Sequence, residues 1–98
     1  MTLQLRIRPE AERDLREAAT WYEQQRMGLG SEFLDAVQST FGNISGQPAL
    51  YPLLHRNTRR ALTLRFPFGV YYRVQQEVIV IVAVMHGSRS PRRWMQRT

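Results

Sequence analysis

Arginines are the residues of this sequence best suited to chemistry, and in its second half they stand among aromatic residues. Arginine keeps its charge near neutral pH and presents a planar fork of donors that suits phosphate or carboxylate groups. With a histidine and aromatic rings, arginines can bind RNA, stack a base or stabilise a phosphate transition state. A purely structural role in packing is the alternative for Tyr71, Tyr72 and Trp94. The candidate residues are Arg65, Arg73, His86, Arg89, Arg92, Arg93 and Trp94.

Other catalytic arrangements are absent from the sequence. It contains no cysteine, no HExxH motif and no glycine-rich phosphate loop. His55 and His86 are far apart, and no group of acidic residues accompanies either of them. Glu10, Asp14 and Glu17 stand at helical spacing among arginines, which is typical of a solvated helix face carrying ion pairs. We therefore expect no metal site and no cofactor.

The charge of the 98-residue chain is divided unevenly along its length. All fourteen basic residues are arginines, and eight acidic residues leave a net charge of +6. Residues 1–36 hold five arginines and seven acids, for −2, whereas residues 37–98 hold nine arginines and one acid, for +8. A positive region of this kind is typical of proteins that bind nucleic acid or an acidic protein. The lack of cysteine and of a long apolar run predicts a cytoplasmic protein without a membrane span.

Hydrophobic periodicity predicts a strand and two helices in the first half of the chain. Alternating residues over 3–8 indicate a half-buried strand. A helix is expected to begin at Pro9 and end before Gly28, and Ser31 is expected to cap a second helix that ends at Gly46. The short connection between the two helices implies an antiparallel hairpin.

A period of two predicts three further strands. They are expected over 62–66, 70–75 and 78–85, with turns at 67–69 and at Gln76–Glu77. Segment 48–58 has no period and is predicted to be a loop, without a role for the loop or for His55. The result is one α+β domain over 1–98, in which an N-terminal strand and a helical hairpin pack on a mostly antiparallel sheet. Its order is β-α-α-β-β-β, followed by a short C-terminal tail that begins a helical turn at Ser90–Pro91.

The last strand is apolar on both faces, as expected for a central strand that is covered on two sides. The helical hairpin can cover one face. Either the tail or a second chain must cover the other.

Four segments carry a resemblance to a known family. They are IRPEAERDLREAATWYEQQRMGLGSEFL (7–34), QPALYP (47–52), RFPFGVYYRV (65–74) and VIVIVAVMHGSRSPRRW (78–94). In this order they resemble the RelE/ParE superfamily of bacterial type II toxins. The resemblance implies a toxin, active for example in plasmid stabilisation, that is neutralised by a cognate antitoxin wrapped around its apolar and basic surfaces.

The free face of the last strand agrees with an antitoxin that buries exposed apolar and basic surface. If that face is the docking site, the isolated chain should be poorly soluble or self-associate. The residues predicted to bind the antitoxin are Val80, Val82, Val84, Leu15, Tyr22 and Arg60.

The superfamily contains two activities, and the sequence departs from the first. RelE-like toxins cut mRNA on the ribosome, but this chain has Gly69 where they place an arginine and Trp94 where they place a tyrosine. It also has no lysine for their catalytic set. The ending MHGSRSPRRW resembles the His-x-x-Arg-x-Pro-x-x-Trp ending of ParE-like toxins, which inhibit DNA gyrase, although Ser88 and Ser90 depart from the commonest form.

The resemblance therefore favours a gyrase inhibitor that acts by binding and not as an enzyme. Its target surface is predicted to comprise Arg89, Arg92, Arg93 and Trp94, with Arg65 and Arg73 in support and His86 orienting the tail. The alternative is a ribosome-dependent mRNA endonuclease that uses His86, Arg89, Arg73 and Arg65. A plain RNA-binding protein or an inactive toxin is a third reading.

Overall fold

A computed structural model describes residues 3–98 and confirms the α+β class, with one strand more than predicted. Two long helices pack on one face of a five-stranded sheet, and a short third helix packs on the other face. We call these the helix-side face and the outer face. The elements are β1 (Gln4–Ile7), α1 (Pro9–Gln25), α2 (Leu29–Gly46), β2 (Leu53–His55), β3 (Thr58–Leu62), β4 (Phe68–Gln75), β5 (Val78–His86) and α3 (Pro91–Met95).

The start of α1 agrees with the sequence, but the start of α2 does not. Pro9 stands in the first turn of α1 as predicted. Helix α2 begins at Leu29 after Gly28, whose φ of 87° is left-handed and favours glycine. The carboxylate of Glu23 in α1 accepts hydrogen bonds from the N–H groups of Gly28 (2.9 Å) and Gly30 (3.0 Å). The predicted cap at Ser31 was wrong because a side chain of the preceding helix pairs with these free N–H groups.

The sheet has the order β1-β5-β4-β3-β2, with β1 parallel to β5 and every other pair antiparallel. β5 lies between β1 and β4 and is buried on both faces, which confirms the prediction of a central strand. Gln76 and Glu77 form the predicted turn between β4 and β5, and both have positive φ (51° and 66°). Positive φ at both positions matches the twist of a two-residue hairpin.

The predicted strand over 62–66 was wrong. β3 ends at Leu62, and residues 63–67 form the connection to β4, where the Thr63 hydroxyl donates to the Phe66 carbonyl (2.7 Å). The turn predicted at 67–69 therefore lies earlier, and Phe68 already belongs to β4. Leu62 and Leu64 created the apparent alternation, but both are exposed (66% and 77%) and do not mark a buried face.

Segment 48–58 was predicted as a loop but contains β2, the outermost strand. Its earlier part is fastened to the sheet by two side chains. The Tyr72 hydroxyl donates to the Pro48 carbonyl (2.6 Å), and the Arg59 guanidinium donates to the carbonyls of Ala49 and Tyr51. Burial raises the pKa of Tyr72 to about 12, so this hydroxyl stays protonated well above its ordinary range.

A β-bulge interrupts the pairing of β4 with β5. Tyr71 pairs with Ala83 whereas Tyr72 pairs with Ile81, so Val82 has no partner on β4. An extra residue in one strand reverses the alternation of side chains beyond it.

The bulge divides the three valines that regular alternation assigns to one face. Val80 and Val82 pack on the outer face, whereas Val84 packs on the helix-side face with the core of α2. Of the three valines predicted to bind an antitoxin, two therefore lie on the outer face and one on the helix-side face.

Candidate functional site

The C-terminal tail covers the outer face of β5. Trp94 of α3 is 5% exposed and stacks on Tyr71 with ring centres 4.6 Å apart. It also meets the His55 ring edge-on at 6.1 Å, which gives His55 a packing role. The sequence left open whether the tail or a second chain covers this face, and in the structure the tail covers it. The Trp94 ring is therefore enclosed, and it fixes the position of the arginines beside it.

The end of the tail is fastened by an ion pair between Arg97 and Asp14. The Arg97 guanidinium lies 2.7 Å and 3.2 Å from the two carboxylate oxygens of Asp14 and also donates to the Val82 carbonyl at 3.0 Å. Asp14 in turn accepts a hydrogen bond from the Val84 N–H (3.0 Å). β1 ends at Ile7, which pairs with Ile81 of β5. Beyond this point, Arg97 and Asp14 pair with the backbone groups of Val82 and Val84 that β1 does not reach.

Asp14 was predicted to lie on a solvated helix face, and this was wrong. Its side chain is only 13% exposed, compared with 55% for Glu12, whose pair with Arg16 is open to solvent at 3.9 Å. The tail shields Asp14 and makes it part of the attachment of the C-terminus.

Two arginines predicted to support the target surface are engaged within the chain. Arg65 lies in the connection between β3 and β4 with a φ of 72°, and not on a strand as expected. Its guanidinium lies 2.8 Å from Glu32, and this hydrogen bond is the main reason that the pKa of Glu32 lies below its usual value. Arg73 donates to the Thr98 carbonyl (3.4 Å) and helps to hold the tail.

Five other arginines of the second half make no ion pair and no side-chain hydrogen bond within residues 3–98. Three of them precede the buried Trp94 in the tail, one follows His55 in the turn after β2, and one lies in β3. Their charges are therefore available to a partner. They are Arg56, Arg60, Arg89, Arg92 and Arg93.

A cleft of about 900 Å³ opens between α1, the adjoining ends of β4 and β5, and the tail. Glu17 and Trp21 line its α1 side, and His86, Arg89 and Arg93 line the opposite side. The Ser88 N–H donates to His86 Nδ1 (3.0 Å), which fixes the orientation of the imidazole. The cleft therefore contains the half-exposed Trp21, with an acidic residue on its α1 wall and two arginines on the opposite wall.

The structure brings together only half of the residues predicted for a nuclease. His86 and Arg89 share the cleft, whereas Arg65 pairs with Glu32 and Arg73 contacts the end of the tail. The four residues do not form one catalytic group.

The residues predicted to bind an antitoxin lie on two faces of the sheet. Leu15 and Tyr22 pack with Val84 on the helix-side face, whereas Val80 and Val82 lie under the tail on the outer face. Arg60 also belongs to the outer face, beside Tyr71 on the next strand. A partner that contacts both sets must reach around the edge of the sheet or displace the tail.

Two further features concern metals and membranes. Within residues 3–98, no three histidine, cysteine or acidic side chains lie close enough together to hold a metal ion. Over the same range, no helix combines the length and the apolar character needed to cross a bilayer.

Comparison with solved structures finds the same architecture in toxin-antitoxin complexes. The structure is similar to a chain of the RelBE2 toxin-antitoxin complex of Mycobacterium tuberculosis, with a TM-score of 0.64, 25% identity, and coverage of 88% of this chain and 99% of that one. It is also similar in fold to a chain of the chromosomal ParDE system of Pseudomonas aeruginosa, with a TM-score of 0.66, 20% identity, and coverage of 87% and 96%. No curated protein matches the chain.

Comparison with protein families gives a match that extends over most of the chain. The family described as the ParE toxin of the type II toxin-antitoxin system parDE matches residues 5–91, from β1 to the first residue of α3. This range includes the helical hairpin, the sheet and the His86–Arg89 segment. The chain belongs to the ParE toxin family of type II toxin-antitoxin systems.

Proposed function

We propose that this toxin inhibits DNA gyrase by binding it, without bond chemistry of its own. The observation that carries the proposal is the set of unpaired arginines on the tail. Arg89, Arg92 and Arg93 make no ion pair within residues 3–98, while the buried Trp94 holds the tail on the sheet. Because the tail is attached at both Trp94 and Arg97, these charges are positioned before a partner arrives. Membership of the ParE family supports gyrase as that partner.

We further propose that a cognate antitoxin neutralises the toxin by wrapping around the sheet. The similar chains from Mycobacterium tuberculosis and Pseudomonas aeruginosa belong to toxin-antitoxin systems. In this chain, the +8 second half favours an acidic partner, and the candidate residues occupy both faces of the sheet. A wrapped partner would cover the tail arginines and thereby block the target surface.

The test of gyrase inhibition uses the purified full chain and a variant with Arg89, Arg92 and Arg93 all changed to alanine. Wild type is expected to stop supercoiling, and the triple variant is expected to need at least about tenfold more protein. A matched control changes Arg6, Arg13 and Arg16, which lie in the N-terminal half, to alanine and should inhibit like wild type. Equal inhibition by wild type and the tail variant would remove the tail arginines from the target surface.

An mRNA endonuclease is the second candidate, and the geometry of the cleft favours it over other enzymatic functions. His86 and Arg89 line the same cleft, and Ser88 holds the imidazole in place. A histidine could exchange a proton with the attacking 2′-hydroxyl while an arginine stabilises the phosphate. Mapping of mRNA ends on translating ribosomes tests this function. New ends that disappear in His86→Ala would establish cleavage.

A further inference from the structure

The side chain of Arg60 packs closely over Gly69, which has no side chain of its own. A Cβ atom at Gly69 would lie 3.0 Å from Arg60 Cδ, 3.1 Å from Arg60 Cγ and 3.2 Å from Tyr71 Cε1. Ordinary contacts between carbon atoms are about 3.5–4.0 Å, so a larger residue would push these groups away. The stem of Arg60 therefore crosses from β3 over β4 at Gly69, where Leu62 and Gly69 are paired across the strands.

The aliphatic part of the Arg60 side chain packs against Gly69, but its guanidinium has no partner among the described residues. Within residues 3–98 it makes no ion pair and no side-chain hydrogen bond, although the residue is half-buried. The sequence contains no acidic residue between Asp35 and Glu77. An arginine whose stem is already packed loses little conformational freedom when its planar fork binds an anion.

The surroundings of Arg60 favour a protein partner over a nucleic acid. Leu62 stands two residues along the same strand, on the same face as Arg60, and is 66% exposed. An arginine among exposed apolar side chains is typical of the energetic centre of a protein interface.

We propose that Arg60 is a partner-binding residue, aimed by Gly69, which binds a carboxylate on an acidic and partly apolar protein surface. Under the proposed function, on which this assignment of the partner rests, that surface belongs to gyrase, and not to the antitoxin that Arg60 was predicted to bind. Gly69 acts as a positioning residue because it leaves room for the Arg60 stem. The tail arginines and Arg60 then form two parts of one target surface, joined through the contact of Tyr71 with Trp94.

The first experiment measures carboxylate binding directly by NMR on the ¹⁵N-labelled full chain. The probe is a capped pentapeptide of alternating glutamate and leucine, and the comparison probe is hexauridine. The Arg60 Nε–H signal, identified by its loss in Arg60→Ala, is expected to shift saturably with the peptide and at a lower concentration than with hexauridine. Tighter binding of hexauridine at this signal would overturn the proposal in favour of nucleic acid.

The role of Gly69 is tested by Gly69→Val in the same titration. The variant is expected to move the Arg60 signal in the free protein and to raise the peptide Kd at least fivefold. Gly42→Ala is the matched control, since a Cβ at Gly42 meets no atom within 4 Å, and its Kd should equal that of wild type. An unchanged Kd in folded Gly69→Val would overturn the positioning role. If Gly69→Val does not fold, Arg60→Ala decides: its peptide Kd is measured from the backbone amide signals of β3 and β4, and an unchanged Kd overturns the site.

The second experiment repeats the comparison with gyrase and separates the two proposals. Arg60→Ala is expected to weaken inhibition about tenfold, whereas Arg13→Ala, an exposed arginine of α1, should inhibit like wild type. If wild type does not inhibit gyrase but the peptide titration gives the expected result, the proposed function fails and the carboxylate site at Arg60 stands. If wild type inhibits and Arg60→Ala inhibits equally well, Arg60 is excluded from the gyrase surface.

Discussion

Individual arginines of this toxin perform two different tasks, although the sequence presents them as one positive region. Arg59, Arg65 and Arg97 bind groups within the chain, and their charges hold the fold together. Arg60 and Arg89 have no such partner within residues 3–98 and are available for binding. The composition shows only the total charge. The positions of carboxylates and carbonyls decide which arginines stabilise the fold and which remain available to a partner.

Loss of Asp14 is expected to destabilise the protein by about 2–4 kcal/mol, because it leaves the part-buried Arg97 and the Val84 N–H without their partner. Urea denaturation of Asp14→Ala measures this change. Glu17→Ala, three residues along the same helix and exposed, is the matched control and should lie within about 0.5 kcal/mol of wild type. Equal stabilities for the two variants would show that the tail attachment contributes nothing.

The pH dependence of stability should reveal the hydroxyl of Tyr72. Burial raises its pKa to about 12 from an ordinary value of 10.0, so its contribution is complete below pH 10. That contribution is lost as the pH rises from 10 towards 12, since the unfolded chain ionises first. Denaturation midpoints measured over this range should fall less steeply in Tyr72→Phe than in wild type. Parallel curves would contradict the assignment.

At the scale of elements, long-range contacts decide the details that local pattern does not. The helices, β1, the 76–77 turn and the central β5 were predictable, because each follows from a local period or a turn signal. The capping of α2 by Glu23 was not predictable, because the carboxylate that accepts hydrogen bonds from its first N–H groups belongs to the preceding helix. The bulge at Val82 leaves no mark in VIVIVAVM, where every residue is apolar. The arginines of the candidate site could be predicted from the sequence. Which of them pair with other groups of the chain could be seen only in the structure.

The close approach of α1 and α2 depends on Gly30. A Cβ there would lie 2.6 Å from the Ala19 carbonyl oxygen, which is backbone and cannot rotate away. Gly30→Ala is therefore expected to destabilise the protein by about 1–3 kcal/mol through overpacking. Gly42→Ala, in an open part of the same helix, should be stabilising by up to about 1 kcal/mol. Thermal unfolding of the two variants checks the sign of each change, and a shift in the same direction for both would contradict this reading.

At the scale of the whole molecule, the tail connects stability with function. Trp94 covers Val80 and Val82 on the outer face, and the same short helix carries Arg92 and Arg93. The toxin therefore cannot expose the apolar surface of β5 without also moving the charges of Arg92 and Arg93, which are proposed to bind the target. An antitoxin that displaced the tail would remove both at once.

Truncation of Trp94 should uncover this apolar surface. Trp94→Ala is expected to lose about 3–5 kcal/mol of stability and to self-associate at concentrations where wild type does not. Light scattering combined with size-exclusion chromatography measures the association. His55→Ala, which removes only the edge-on contact with Trp94, is the milder control and should remain closer to wild type. A monomeric Trp94→Ala with native stability would show that the tail does not cover the sheet in solution.

The most direct measurement is the supercoiling activity of purified gyrase in the presence of the full chain. The proposed binding mechanism predicts that wild type abolishes supercoiling and that alanine at Arg89, Arg92 and Arg93 raises the required concentration at least about tenfold. Undiminished supercoiling at saturating wild type, together with new mRNA ends on translating ribosomes, would contradict it.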